Sequence, residues 1–305
     1  MLVEAEEAGL LTSYRNAGVA VHYIVYDLLP VQMPQFFPPG ADTSHAAWIQ
    51  TIAKFDGAVC ISRTVADELS EWLKTKTPER QRDFRIGWFN LGADLENSFS
   101  TRSLPKDADQ TLAQISARPS FLMVGTIEPR KGYPLTLEAF TQLWREGFDI
   151  NLVIVGAEGW RNLPNSLRST ISETINRLQH HPEFGKRLFW LKGISDEYLK
   201  KVYTVSSCLI AASEGEGFGL PLIEAAKYGL PIIARDIPVF HEVASEYASY
   251  FKGNNSESLI IAVKEWLRAL KTKKDPSTQA YQSITWKESA KSLLAAVIGK
   301  NMEGE

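Results

Sequence analysis

Two carboxylates and a glycine-rich turn stand together in the stretch SEGEGFGLPLIEAAKYGLP, residues 213–231, where Glu216 and Glu224 bracket Gly217, Phe218, Gly219, Leu220 and Pro221. A preceding apolar run, CLIAAS, reads as a buried strand, and Pro221 suits the first turn of a helix that Gly229 closes. Glycines ahead of a helix offer backbone N–H groups and a positive helix end, a setting that favours an anion such as phosphate. A carboxylate cannot hold phosphate, but it can accept two hydrogen bonds from vicinal hydroxyls, as acidic residues do with ribose. Glu224, placed in the first helical turn, has two readings: a ribose clamp or a partner of the helix dipole. Glu216 lies in the loop at the same mouth.

Fixed positive charge occurs in a second segment, FLMVGTIEPRKGYPLTLEAF, residues 121–140. A strand ends at Gly125, a loop carries Thr126, Arg130 and Lys131, and a helix follows Gly132. Guanidinium and ammonium groups on such a loop suit a diphosphate leaving group, whose oxyanion charge grows as the bond to phosphate breaks; an ordinary solvated basic turn is the plain alternative. A third segment, HYIVYDLLPVQMPQFFP, puts Asp27 and Pro30 at the end of a strand followed by a proline-rich aromatic loop. It reads as an acceptor-facing wall or as a loop packed on its own Phe36 and Phe37.

Other chemistries are poorly served. His22, His45, His180, His181 and His241 show no metal-ligand spacing, and the pair at 180–181 reads as the end of a solvated helix. No G-x-S-x-G elbow or G-x-G-x-x-G fingerprint is present, against hydrolase and dehydrogenase readings. Both cysteines, Cys60 and Cys208, sit in apolar runs and read as small core residues of a protein in a reducing cytoplasm. A formal net charge of −3 with scattered basic residues argues against a nucleic-acid partner. No apolar stretch is long enough to span a bilayer, and the acidic start is unlike a signal peptide, which leaves room for peripheral contact with a membrane surface.

The elements that must position these groups are legible as short β-branched and aromatic runs: VHYIVYD, DGAVCIS, FRIGWFN, SFLMVGT, INLVIVG, RLFWLKG, SCLIAAS and LPIIARD. Helix starts are marked by Ser62, by Ser195 and by a capping box of Thr285 with Glu288. Alternating strands and helices, with strands too apolar to face water, predict an α/β fold with parallel sheets covered on both faces. The length of 305 residues suits two lobes. The polar stretch 98–117 is the expected linker, which gives a first lobe over 1–117, a second over 118–284 and a terminal helix over 285–305. About five strands fall in the second lobe and three in the first.

Together these segments resemble the retaining GT-B glycosyltransferases of family 4, and in particular their mannosyltransferase-like members of surface polysaccharide assembly. The resemblance runs over nearly the whole chain and rests on VYDLLPVQMPQFFP, CISRTVADEL, NLGAD, FLMVGTIEPRKG, LVIVGAEGW, KGISDEYLKKVY and, most specifically, EGEGFGLPLIEAAKYGLPIIARD. It implies two Rossmann-like lobes facing a cleft, with a hexose moved from a nucleotide sugar, GDP-mannose favoured, to a glycan or lipid-linked glycan acceptor with retained configuration. By resemblance, Glu216 faces the donor sugar, Gly217, Phe218, Gly219 and Leu220 supply backbone N–H groups near it, and Glu224 holds the ribose. Arg130 and Lys131 hold the diphosphate beside Gly125 and Thr126, so that no metal and no cofactor is expected. The terminal helix would cross back onto the first lobe.

Two departures bear on the acceptor side. Tyr26 stands where relatives often carry a histidine before the aspartate, and the strand and glycine-rich loop that normally open the first lobe have no counterpart here. The first lobe is expected to be incomplete at its N-terminus: a fragment whose upstream segment is missing, a subunit completed by a partner chain, or a reduced form without an acceptor site. The rival expectation is therefore a nucleotide-sugar-binding subunit that transfers no sugar alone; a third, plainer reading is an α/β domain without a ligand.

Overall fold

The β-branched runs form two separate parallel sheets in the computed structural model, which describes residues 4, 6, 9–76, 83–93, 104–161, 163, 168–272 and 284–299. The chain divides into two units: Met1–Gly92 with Gly215–Phe218 and Ile284–Glu305, and Ala93–Glu214 with Gly219–Ser283.

In the first unit a helix α1 (Leu10–Asn16) precedes β1 (His22–Val25), which is followed by α2 (Leu29–Gln32) and α3 (Ala41–Ile52). Then come β2 (Gly57–Cys60), α4 (Arg63–Lys76) and β3 (Arg85–Trp88), and the strands pair in parallel in the order β1-β2-β3. Val25, Ile52, Cys60 and Leu69 meet in one core, with Cys60 buried as a small apolar residue. The proline-rich segment after β1, read from sequence as a loop, is instead largely helical, because Pro30 falls in the first turn of α2 and Pro34 opens a 3-10 turn over Pro34–Phe36. Proline lacks only an N–H that a first turn leaves unused.

The second unit runs α5 (Ala108–Ser116), β4 (Ser120–Val124), α6 (Tyr133–Arg145), β5 (Asn151–Val155), α7 (Ser169–Gln179), β6 (Leu188–Leu191), α8 (Asp196–Val205), β7 (Cys208–Ala211), α9 (Leu220–Lys227), β8 (Ile232–Arg235), α10 (Pro238–Ala244), β9 (Ala248–Phe251) and α11 (Ser256–Thr272). Its six strands are all parallel, in the order β6-β5-β4-β7-β8-β9. The apolar faces are as continuous as the sequence requires: β5, β7 and β8 are buried at every residue. On one face Phe121 of β4 packs edge-on against Phe140 of α6 (centroids 5.4 Å apart) and Trp266 of α11 (5.1 Å). Each such ring pair adds about 0.5–1.5 kcal/mol beyond the area it buries.

Two expectations are revised. β9 was not anticipated, since its four residues include the half-exposed Ser249 and Tyr250 and lack an apolar run. The linker expected over 98–117 falls outside the described residues at 98–103, and its remainder holds α5, which belongs to the second unit. The α5 end is tied to the sheet through buried Asn151, whose Nδ2 donates to Ser120 Oγ (2.9 Å), Gln114 O (3.2 Å) and Ile115 O (3.3 Å). The division between units falls after Gly92 rather than at 117.

The final helix, α12 (Trp286–Ile298), lies in the first unit against β2 and β3. Its start is the expected capping box: Thr285 Oγ1 accepts from Glu288 N (3.2 Å), and Glu288 Oε2 accepts from Thr285 N (2.7 Å). Gly92 makes this docking feasible, because a Cβ there would strike the backbone of Trp286. Gly87, against Ala296, brings the helix close to β3. Thr285→Ala is expected to lower stability by about 1 kcal/mol, the usual worth of a cap, and Gly92→Ala by more. Urea unfolding of both variants measures this, and an unchanged midpoint for Gly92→Ala would contradict the close approach.

Candidate functional site

Strand order reverses at β4. From there the sheet continues through β5 and β6 on one side and through β7, β8 and β9 on the other. Open parallel sheets bind ligands outside the carboxyl ends of strands at such a switch point, where the following loops part. The two loops that leave the carboxyl ends of β4 and β7 are GTIEPRKG and ASEGEGFG, the segments singled out by their chemistry.

After β4, Gly125 has φ 147°, a conformation suited to glycine, and its carbonyl accepts from Tyr133 Oη at 2.6 Å. The Lys131 side chain lies over it: Nζ would be 3.7 Å from a Cβ at Gly125. The cationic pair occupies a 3-10 turn, Pro129–Lys131, ended by Gly132 at φ 73°. Arg130 is not a bare charge. Its Nη2 lies 3.3 Å from Glu128 Oε2, and Glu128 Oε1 accepts from Thr126 Oγ1 at 2.7 Å, so Thr126, Glu128 and Arg130 form one chain of contacts. Glu128 went unremarked in the sequence, where an acid two residues before an arginine has no distinguishing signal.

The β4 and β7 loops are held together by backbone. Glu214 N donates to Arg130 O at 2.8 Å, and Gly132 packs directly on the carbonyl of Ala212, leaving no room for a side chain. Gly219 (φ 101°) is the N-cap of α9, whose first turn contains Leu220 and Pro221. Glu224 was expected in that first turn; α9 begins at Leu220, so it occupies the second, and no acidic residue lies in the first. This weakens the helix-dipole reading, because dipole stabilisation falls off beyond the terminal turn.

Glu216, Gly217 and Phe218 group instead with the first unit. Gly217 O accepts from Ser62 Oγ at 2.8 Å, while Ser62 Oγ accepts from Val65 N at 3.1 Å, so the fully buried serine both caps α4 and anchors the glycine turn. Gly217 packs on the carbonyl of Tyr26, and Gly215 on Leu29 and Met33. Ser62 was legible only as a cap. Asp27 and Tyr26 lie beside this turn: Asp27 Oδ1 accepts from Leu29 N (3.1 Å), which engages it in starting α2, whereas Tyr26 is 62% exposed.

The family pattern described as "Glycosyl transferases group 1" matches residues 107–283, more than half of the chain, and all of these but Gly215–Phe218 belong to the second unit. The chain belongs to this family. Its sequence is 42% identical over 289 residues to the serotype-specific mannosyltransferase WbdA of Escherichia coli, a match covering 93% of this chain and 34% of that protein. It is 30% identical over 144 residues to the O-antigen chain mannosyltransferase RfbU of Salmonella typhimurium, covering 47% and 37%. The chain thus spans about a third of the length of the WbdA proteins it matches. Among solved structures, sucrose-phosphate synthase from Thermosynechococcus elongatus superposes with a TM-score of 0.67 at 19% identity over 92% of this chain and 67% of that one. A glycosyltransferase from Rickettsia africae gives 0.59 at 18% identity over 82% and 64%. The fold is the α/β GT-B fold that the sequence resemblance implied.

In this group 1 glycosyltransferase Glu224 is a desolvated carboxyl. Its Oε2 accepts from Tyr203 Oη at 2.7 Å; Tyr203 is 1% exposed and stacks on Tyr228 with centroids 5.3 Å apart. Desolvation holds the Glu224 carboxyl above its ordinary value, against the hydrogen bond that lowers it, and burial holds the Tyr203 phenol well above its own. Burial together with a specific hydrogen-bond partner makes Glu224 a functional-site candidate. Tyr203 was missed in the sequence, being 21 residues away, although a buried tyrosine does demand a polar partner.

His181, read as solvated, is half-buried against Trp144 at 5.2 Å. Its Nε2 is 2.9 Å from Thr141 Oγ1, whose proton goes to Leu137 O, and its Nδ1 accepts from Glu183 N. Both nitrogens are engaged in the neutral tautomer. Among the described residues no group of three or more metal-ligating side chains occurs, and no helix is long and apolar enough to cross a membrane.

A carboxyl whose folded pKa is raised contributes stability that is present below its unfolded value and lost as pH rises through the folded one. Glu224→Gln is therefore expected to gain stability over the native chain as pH rises from 4 to 7, with the two converging at acid pH. Thermal unfolding across that range checks it. A difference that stays constant with pH would show that Glu224 is not a desolvated carboxylate.

Proposed function

We propose that the chain binds a nucleotide sugar, GDP-mannose by preference, and acts in transfer of its mannose to a glycan or lipid-linked glycan acceptor during surface polysaccharide synthesis. One observation carries the reading: a cationic loop and a glycine-rich loop, the latter leading into the helix that carries the desolvated Glu224, leave neighbouring strands at the switch point of a group 1 glycosyltransferase sheet. The identity to WbdA, whose name states mannosyl transfer, supports the sugar.

In this reading Lys131 and Arg130 stabilise the diphosphate as its bond to the sugar breaks, with Gly125 and Thr126 lining that position. Arg130 is preoriented by Glu128, and a diphosphate would compete with that carboxylate for the guanidinium. Glu224 accepts from the ribose hydroxyls while Tyr203 holds one of its oxygens, which leaves the other directed by the same contact. Glu216 and the backbone N–H groups of Gly217 to Leu220 serve the hexose, and Tyr26 with Asp27 serve the acceptor. Transfer retains configuration, relies on electrostatic stabilisation of the leaving group, and needs no divalent ion, because the two cations supply the charge. The protein works in the cytoplasm at the inner face of a membrane.

Calorimetry with GDP, UDP and dTDP, with and without EDTA, tests this. GDP is expected to bind best and equally with chelator, and Lys131→Ala and Glu224→Ala are each expected to weaken it about tenfold, a loss of ~1.4 kcal/mol. Absence of binding by all three nucleotides, or indifference to both substitutions, removes the donor-site assignment. Nucleotide binding without transfer of mannose from GDP-mannose would favour the partner-dependent subunit.

A further inference from the structure

One buried charge has no part in the chemistry above. Arg235 ends β8 and is 3% exposed, among the least accessible charged groups described. An isolated guanidinium is costly to bury, and apolar residues of similar volume usually pack at least as favourably. Its retention therefore points to what its donors hold.

Nε donates to Ala212 O at 3.0 Å. Nη1 donates to Asn254 Oδ1 at 2.8 Å and to Gly253 O, both in the turn after β9. The Arg235 Cζ lies 5.2 Å from the Phe251 ring centroid, and Nη2 is buried with no partner among the described residues. The Glu214 charge favours the cation against burial.

Ala212 is the pivot. It is the first residue after β7, where the glycine-rich loop departs, and its carbonyl is also the atom on which Gly132 of the cationic loop packs. Two residues on, Glu214 N bonds Arg130 O. One rigid fork thus fixes the carbonyl against which both loops are seated, and ties it to the β9 turn on the far side of β8. Lysine could not do this: a point charge on a flexible stem lacks the fixed angle between Nε and Nη1 donors.

We infer that Arg235 is a positioning residue for diphosphate recognition, holding the Arg130–Gly132 turn and the start of the Ser213–Gly219 loop in the spacing that a diphosphate requires. The inference rests on the donor-site reading above. It predicts a loss specific to the diphosphate, since a merely structural role would weaken nucleoside mono- and diphosphates alike.

Calorimetry with GDP and GMP on the full chain and on Arg235→Lys, Arg235→Met and Asn254→Ala separates these roles. The ratio of GDP to GMP affinity is expected to fall about tenfold in Arg235→Met, several-fold in Arg235→Lys and two- to threefold in Asn254→Ala, with GMP affinity changed by less than about twofold. Should Arg235→Met not fold, the lysine and Asn254 variants carry the test. A ratio unchanged in Arg235→Lys and Asn254→Ala, or a parallel fall for both nucleotides, overturns the inference while leaving the donor site intact. If the native chain binds neither nucleotide, the donor-site reading and this inference fall together.

Discussion

Everything in the second unit that could do chemistry depends on one topological constraint, the reversal of strand order at β4 in an all-parallel sheet. Right-handed crossovers send successive helices to opposite faces on the two sides of the reversal, so the loops after β4 and β7 cannot pack into each other along their length. They diverge, and backbone N–H groups, a helix start and side chains of both loops are left at one edge. At the base of that edge Gly132 meets the Ala212 carbonyl and Glu214 bonds Arg130.

Charge at this edge is held rather than merely present. Arg130 is oriented by Glu128, Glu128 by Thr126, and Glu224 by a tyrosine whose own burial leaves it few alternative partners. Such preorganisation would suit the leaving-group stabilisation proposed above, because dipoles already in place need no rearrangement when negative charge appears. It also opposes stability, since Glu224 and Arg235 are both shifted toward their neutral forms by desolvation.

The glycines divide by purpose. Gly132 and Gly219 lie at left-handed φ, which a side chain resists, whereas Gly217 is a matter of room, seated on the Tyr26 carbonyl with Ser62 bonded to its own. One short motif therefore contributes to two units: Gly215–Phe218 belongs with β1 and α4, and the residues on either side belong with the second sheet.

The sequence by itself determined the fold class, eight of the strand positions and the capping of α4, α8 and α12, because these follow from local rules of periodicity and turn geometry. It could not place α5 with the second unit, since Asn151 reaches Ile115 across 36 residues, and it missed β9, whose residues lack an apolar run. Nor could it show that Arg130 has a carboxylate partner, that Glu224 sits in the second turn under Tyr203, or that Ser62 and Arg235 anchor the two ends of one loop. Those facts arise from pairings between residues far apart or unmarked in the chain. Only tertiary structure decides them, because burial and partnership depend on which strands become neighbours.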